Sequence, residues 1–581
     1  MHNKAIRKTV IERPRLSHQQ NLGDIHPLLA RIYSARGIVS KDELDLTLTQ
    51  LPSPWLLSGM ENMVNQLITA LRKQQKICVV ADFDADGATS CALAVKGLKL
   101  LGAGHVSYVV PNRFEYGYGL TPEIVRLVKR QDPAVIITVD NGISSLEGVL
   151  EAKGLGMKVL ITDHHLPGQS LPLADAIVNP NLHDDQFPSK ALAGVGVMFF
   201  VLAALRNRLR EQNWFVLQHI SEPNLAQLLD YVALGTIADV VVLDKTNRVL
   251  VYQGLLRIRM GAAHHGVNAL IESAGRVPQS LVAADLGFAV APRLNAAGRM
   301  DDMALGISCL LAEDVTSAKT MAMRLNELND ERREVEKQMK NEAMALISEM
   351  SILDKPHLPA GICLFNASWH QGVIGILASR IKDRLHRPVI AFAPSGQDEI
   401  KGSARSVAGV HIRDALSDIA ASHPGLLERF GGHAMAAGLS LKLHDYPAFA
   451  LAFDDIIKQR LADIDLEQKV LSDGELTEQD LNLALAELLQ RTGVWGQGFP
   501  EPIFHGLFDV VQTRIIGQQH VKFVLRKPAG QLLIDAIAFY LELPESWLGV
   551  RQLLVAYKLD VNEYKGSRSI QLILQYVEKL A

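Results

Sequence analysis

Between about residues 70 and 180 the chain alternates short, unbroken apolar runs with segments whose apolar residues recur at helical spacing. The runs "ICVVADFD", "HVSYVVP", "AVIITVDNG", "KVLITDHH" and "DAIVNP" predict strands, and "GATSCALAVKGLKLLGA", "LTPEIVRLVKRQ" and "SLEGVLEAKGLG" predict the helices between them. Strands written as continuous runs and joined by helices predict a parallel sheet covered on both faces, with ligand sites at the carboxyl ends of its strands.

Further along, the pattern changes more than once. Residues 190 to about 310 read as mostly helical. The following "AEDVTSAKTMAMRLNELNDERREVEKQMKNEAMALISEM" lacks Pro and Gly and predicts either one connecting helix, ~55 Å long if unbroken, or two helices with a bend. Its apolar positions Met323, Leu325, Leu328, Val335 and Met339 keep no strict heptad, which excludes a coiled-coil dimer. A second α/β unit follows, with strands "AGICLFNA" and "PVIAFAP" around the helix "GVIGILASRIKDRL". After an acidic helical stretch, "FHGLFDVVQTRII", "HVKFVLRK", "LLIDAIAFY", "RQLLVAYKLDVNEY" and "SIQLILQYVEKL" predict a small β-barrel, an OB-type barrel foremost.

Composition refines this picture only a little. At 581 residues the chain exceeds a single core, and 48% hydrophobic with 21% charged residues is ordinary for folded domains. A net charge of -4 advertises no nucleic-acid partner, although a local basic groove or bound cations are compatible with it. Cys78, Cys91, Cys309 and Cys363 have no CxxC spacing and read as buried thiols in a reducing compartment. The first residues carry no apolar targeting core and no run reaches a membrane span, so a cytoplasmic protein with no membrane partner is expected.

The chemistry lies in the acids. Asp82, Asp84 and Asp86 alternate in "ADFDADG", directly after an apolar run. Carboxylates this close repel one another unless protons or cations compensate them. Taken alone, the trio also reads as a solvated acidic loop or a calcium-binding turn. Asp140, however, ends "VIITVDNG"; Asp163, His164 and His165 end "VLITDHH"; and Asp239 lies in "LGTIADV". Each run delivers its polar group at the same point, so the groups converge on one sheet edge. Such a set matches a two-metal site, where one aspartate bridges the ions and a water becomes the nucleophile. Carboxylates select hard ions such as Mg²⁺, and added imidazole moves the choice toward Mn²⁺. Two adjacent histidines on a strand-end loop aim differently, one at a metal and one at the substrate or Asp163.

Other motifs point to phosphate. "RFEYGYG" offers Arg113, and "APRLNAAGRM" offers Arg293 and Arg299, whose guanidinium groups pair bidentately with phosphate. "NASWHQGVIG", "KGSARS" and "RFGGHAMAAG" place His370, Ser403, Arg405, Ser406 and His433 in Gly-rich segments that read as anion-binding turns or, equally simply, as tight turns. Trp369 either stacks on a base or fills core.

In order along the chain, "DFDADG", "VDNG", "TDHH" and "GTIAD", followed by "SWHQGVIGILASR", "GSARS" and "GGHAMAAG", resemble the motifs of the DHH phosphoesterase superfamily and its DHHA1-type associated domain. With "APRLNAAGRM", "GVWGQGFPEP" and a C-terminal barrel, the chain looks most similar to the RecJ branch of bacterial single-stranded-DNA-specific exonucleases. The resemblance implies an α/β protein. It has a 1–48 extension, a 49–310 parallel-sheet DHH domain, a 311–350 connecting helix, a 351–458 DHHA1-type domain and a 459–581 OB-like barrel. It implies digestion of single-stranded DNA from the 5' end to mononucleotides, in recombination and repair, with two Mn²⁺ or Mg²⁺ ions.

On this resemblance Asp84, Asp86, Asp140, His164 and Asp239 hold the metal, with Asp140 bridging and Asp82 a further member. Val80 stands where the pyrophosphatase and nanoRNase branches carry a histidine. His165, Asp163 and Asp140 are the catalytic candidates, His165 touching the phosphate or leaving oxygen and Asp163 orienting a histidine. Arg113, Arg299, Arg405 and His433 would hold backbone phosphates. A single-stranded-DNA-binding protein and a helicase are the implied partners of a monomer. In the barrel, Arg514, Lys522, Arg526 and Lys527 are candidate backbone contacts, and Phe523 is either a stacking ring or core. The alternatives are an oligoribonucleotide or cyclic-dinucleotide phosphodiesterase, a small-molecule phosphatase, and an inactive DNA-binding scaffold.

Overall fold

The computed structural model describes residues 8–14, 22–112, 115–116, 119–349, 359–396, 398–462, 468–517, 519–541, 543–564 and 566–580. The chain forms two compact units, one containing Glu327–Lys469 and the other combining Val10–Asn326 with Val470–Ala581.

In the larger unit the predicted runs become strands β1 (Ile77–Ala81), β2 (Val106–Val109), β3 (Val135–Val139), β4 (Lys158–Thr162) and β5 (Ala176–Val178). All pair in parallel, in the order β2-β1-β3-β4-β5. The order reverses between β1 and β3, and an open α/β sheet has its ligand crevice at that switch point. Every residue of β1 and β3 is buried, which is why both lack polar alternation. One face packs Val80, Ile136, Val159 and Ile161 against Ile124, Val128 and Val149 of the helices Pro122–Lys129 and Leu146–Gly154. The helices that serve the site are α1 (Ala85–Leu100), α2 (Gly194–Glu211), α3 (Leu229–Ala238) and α4 (Ala291–Met300). A π-turn, Leu286–Val290, runs directly into α4.

Val315–Glu349 is one helix of 35 residues, ~52 Å at the standard rise, and the division between the units falls within it. The smaller unit has a sheet of β6 (Ile362–Phe365), β7 (Val389–Pro394), β8 (Glu399–Arg405), β9 (Arg429–Gly432) and β10 (Ala436–Lys442), in the order β9-β10-β8-β7-β6. Only β6 and β7 run parallel; the other pairs are antiparallel. The segments "KGSARS" and "GGHAMAAG" are therefore strands and a hairpin, where the sequence suggested turns. Small residues there hide strand propensity; Gly402, for instance, lies against the Phe392 ring.

The barrel strands β11 (Phe504–Ile516), β12 (His520–Arg526), β13 (Ile534–Ala538), β14 (Gln552–Tyr564) and β15 (Ser567–Lys579) close in the order β11-β12-β13-β15-β14. β13 and β15 are parallel and the rest antiparallel, with β11 pairing β14 to remove the edge. Among the described residues, no helix is long and apolar enough to cross a membrane.

Candidate metal centre

Where β1 ends, the chain turns through Asp82, Phe83 and Asp84 into α1. Asp84 caps that helix, its carboxylate accepting the Gly87 N–H at 3.0 Å. Asp86 sits in the first turn, fully buried, and accepts the N–H groups of Gly194 (2.6 Å) and Val195 (3.0 Å) from the opening of α2. The amino terminus of α2 thus supplies two oriented donors to a carboxylate deep in the sheet.

Asp140 follows β3 in a left-handed conformation, φ +62°, which a side-chain-bearing residue adopts at a cost of order 1–3 kcal/mol. Beside it Gly194 is required: a Cβ there would stand 2.6 Å from the Asp140 Cβ. Asn141 donates to the carbonyls of Val80 (3.1 Å) and Val139 (2.9 Å), tying β1 to β3 at the switch point. Asp239 ends α3. His164 reaches Asp140 at 3.1 Å and Asp239 at 3.5 Å through Nε2.

Asp163 does different work. One of its oxygens accepts the Ile143 N–H at 2.9 Å, and the other accepts the backbone N–H groups of His164 and His165 and contacts His165 Nδ1 at 2.7 Å. Bonded in this way, Asp163 fixes the His165 ring through Nδ1. Asn179 and Asn181, just past β5, hold the carbonyls of His165 and His164.

Three donor sets result, with ligand atoms in each lying within 4.8 Å of one another: Asp82, Asp84 and Asp140; Asp86, His164 and Asp239; Asp140, His164 and His165. Burial, then the neighbouring Asp84, pushes the Asp86 carboxyl up to about 7. Burial and the surrounding aspartates push Asp140 and Asp239 upward as well. Burial opposes a charged His165, but its bond to Asp163 and the nearby Asp82 and Asp239 prevail and raise it to about 9. Asp163, despite burial, is held below its ordinary value by His165. Carboxylates forced together at such a cost fit hard divalent cations such as Mg²⁺, and the imidazole among them favours Mn²⁺.

The structure sorts the phosphate candidates. Arg113 lies outside the described residues. Arg293 is committed to protein acceptors: Nε donates to Asn326 Oδ1 at 2.9 Å, and the other nitrogens to the carbonyls of Ala289 and Ser273. It locks helices together, a role its motif does not distinguish from anion binding. Arg299 lies in the last turn of α4. In the smaller unit, Ser403 and Arg405 share a face of β8, and Arg405 Nη1 donates to Ser403 Oγ at 3.0 Å. A Cβ on Gly375, in the first turn of the helix Ile374–Leu385, would stand 2.9 Å from Arg405 Nη2 and 3.0 Å from Ser403 Oγ. Burial lowers the Arg405 guanidinium, a setting in which an anion beside a helix amino terminus gains most.

His370 precedes that helix and accepts the Gly372 N–H at 3.1 Å. His433 stands in the β9–β10 hairpin, its N–H donating to Ala436 O. Ser406 is a correction: its hydroxyl donates to Val410 O at 2.7 Å and is buried, because the residue beyond Arg405 turns into the core.

Trp369 is core, its Nε1 donating to Glu342, and Phe523 is barrel core. Lys522, Arg526 and Lys527 face Asp535 (2.7 Å), Asp509 (3.9 Å) and Glu475 (3.3 Å), while Arg514 is exposed. The four cysteines are buried free thiols.

Family models match residues 76–236 (DHH family, N-terminal domain), 359–459 (DHHA1 domain) and 472–576 (RecJ OB domain). A single-stranded-DNA-specific exonuclease RecJ of Salmonella typhimurium is 50% identical over 555 residues, covering 95% of this chain and 96% of that protein. The Escherichia coli protein of the same name is 49% identical over 558 residues, covering 95% and 96%. The crystal structure of Thermus thermophilus RecJ in complex with Mn²⁺ superposes with a TM-score of 0.80 at 30% identity, over 100% of this chain and 80% of that one. The Mg²⁺ complex from the same organism gives 0.75 at 28% identity, over 100% and 79%. The sheet, the donor cluster, the DHHA1 sheet and the closed barrel thus occur together in a chain that belongs to the RecJ family of DHH phosphoesterases.

Proposed function

We propose that the chain is a metal-dependent exonuclease specific for single-stranded DNA, which digests from the 5' end and releases 5'-mononucleotides in recombination and repair. The observation that carries this reading is the convergence of Asp84, Asp86, Asp140, His164 and Asp239 at the β1/β3 switch point, with Asp82 beside them. When bound, two Mn²⁺ or Mg²⁺ ions supply Lewis acidity, lowering the pKa of the attacking water and neutralising charge that develops on the phosphate.

The chain's own groups do the rest. Asp140 and His164 each belong to two of the three donor sets, and Asp140, a carboxylate with two oxygens, would be the ligand the ions share. His165, aimed by Asp163 and held toward its protonated form by that carboxylate, would donate to the phosphate or to the leaving oxygen. Ser403, Arg405 and the helix amino terminus at Gly375 hold a phosphate of the strand, and Arg113, Arg299, His370 and His433 are further phosphate contacts. The reading extends to a cytoplasmic monomer that consumes strands exposed by a helicase or covered by a single-stranded-DNA-binding protein.

A 5'-labelled single strand incubated with the chain and Mn²⁺ is expected to release labelled mononucleotide at once. Blunt duplex and the Asp140→Ala variant should release none. Preferential cleavage of RNA or of di- and trinucleotides would replace the substrate, and binding without cleavage would overturn the reading.

A further inference from the structure

The segment "APRLNAAGRM" draws notice for its arginines, but the contacts of α4 with the acidic loop described here come from other residues, Asn295 and, one turn on, Gly298. Asn295 Oδ1 accepts the N–H of Ala85 at 2.9 Å. Ala85 lies between Asp84 and Asp86, and its N–H is one of the donors that the first turn of α1 leaves without a helical partner. At Gly298 a Cβ would stand 1.9 Å from the carbonyl oxygen of Phe83, between Asp82 and Asp84. The helix backbone therefore rests on the loop itself. Both contacts fall on the peptide groups that separate the three carboxylates.

The register of α4 comes from the π-turn before it. A π-turn carries one more residue than an α-turn, so it rotates everything that follows by about 100° relative to a regular helix. Without that rotation Asn295 and Gly298 would be turned about 100° from their present facing. Phe288, within the turn, is 89% exposed, so burial of its own side chain does not account for the irregularity.

We propose that Asn295 is a positioning residue for the cation site, holding the Asp82–Asp86 loop in place against its own charge repulsion; this rests on the metal-centre reading above. A neutral amide suits the task, since it fixes a backbone N–H without adding charge to the cluster. Groups that orient ligands in this way cost ~10–100-fold in metal affinity when removed.

The test is a Mn²⁺ titration of the full chain without DNA, followed by calorimetry or by the spin-resonance signal of free Mn²⁺. Asn295→Ala is expected to weaken Mn²⁺ binding ~10–100-fold. Its kcat should recover as Mn²⁺ is raised, and its KM for single-stranded DNA should stay that of the unmodified chain. Asn295→Leu, of similar shape and without an acceptor, should behave alike and serves if the alanine variant does not fold. Unchanged Mn²⁺ affinity overturns the proposal. A raised KM for DNA at unchanged Mn²⁺ affinity overturns it too, making Asn295 a substrate contact. Failure of the unmodified chain to bind Mn²⁺ would sink the metal-centre reading itself.

Discussion

Asp86 and Asp163 are both buried carboxylates at the sheet edge, yet their surroundings push them in opposite directions. Asp86 meets two backbone donors but also Asp84, and rises to about 7. Asp163 meets backbone donors and an imidazole, and falls. The first is suited to a cation; the second is a satisfied acceptor bonded to the His165 ring. Asp163→Asn keeps the shape but turns an N–H toward donors that require an acceptor. We expect kcat on single-stranded DNA to drop ~10–100-fold, with Mn²⁺ affinity within a few-fold of the unmodified chain, as steady-state kinetics and a Mn²⁺ titration would show. At this scale the residue types were readable from their strand-end positions, except for Asp239, which ends a helix and not a strand. The same rule applied to "DAIVNPN" would have flagged Asn179 and Asn181, which steady the two histidines. Nothing local separated Arg293, locked by Asn326, from an anion-binding arginine.

Among the elements, the parallel strands were plain because each is a continuous apolar run with no competing pattern. β8 and β10 were not, since Gly, Ala and Ser give a strand little propensity and here depend on neighbours such as Phe392 for it. The N-terminal segment read as an extension is likewise tied down. Helix Pro27–Ser34 leads to Arg36, whose guanidinium meets both Asp473 oxygens at 2.7 and 3.0 Å, with both side chains 1% exposed. Tyr33 stacks on Trp495 and Phe499, and its hydroxyl donates to Thr492 O. Arg36→Ala would leave Asp473 buried without its main partner. A loss of about 3 kcal/mol follows for a broken buried pair, to be measured by urea denaturation of the metal-free chain; a loss below about 1 kcal/mol, the range of an exposed pair, would count against the clasp.

For the whole molecule, the acidic centre makes stability depend on ions and pH together. Asp86 binds its proton more tightly folded, at about 7, than its ordinary 3.8. Between these values the folded state holds more protons than the unfolded one, so the metal-free chain loses stability as pH rises from about 4 to 7 and gains nothing back above. A divalent cation takes the proton's place. At 100 times its dissociation constant an ion adds ~2.7 kcal/mol. The rise in Tm on adding Mn²⁺ should therefore be larger at pH 8 than at pH 6, where protons compete for the carboxylates. Calorimetry at the two pH values would show it, and an equal rise at both would mean that no proton on Asp86 competes with the ion.

The small-residue strands β8 and β10 apart, the apolar strands, the acids at their ends and the segments of a small barrel were legible in the residues alone. These are local properties, written in a period of two or 3.6 residues and in the residue at a run's end. Which ends meet follows from the packing of the folded chain. The order β2-β1-β3-β4-β5 brings Asp84 and Asp86 beside Asp140, and α2 and α3 come in from over 50 residues further on to close the site. It also gave Asn295, not Arg293, the contact with the acidic loop, because a helix's facing is set by the packing of its whole length and by one π-turn upstream. Neither leaves a local trace, since each depends on a partner distant in the chain and adjacent only in space.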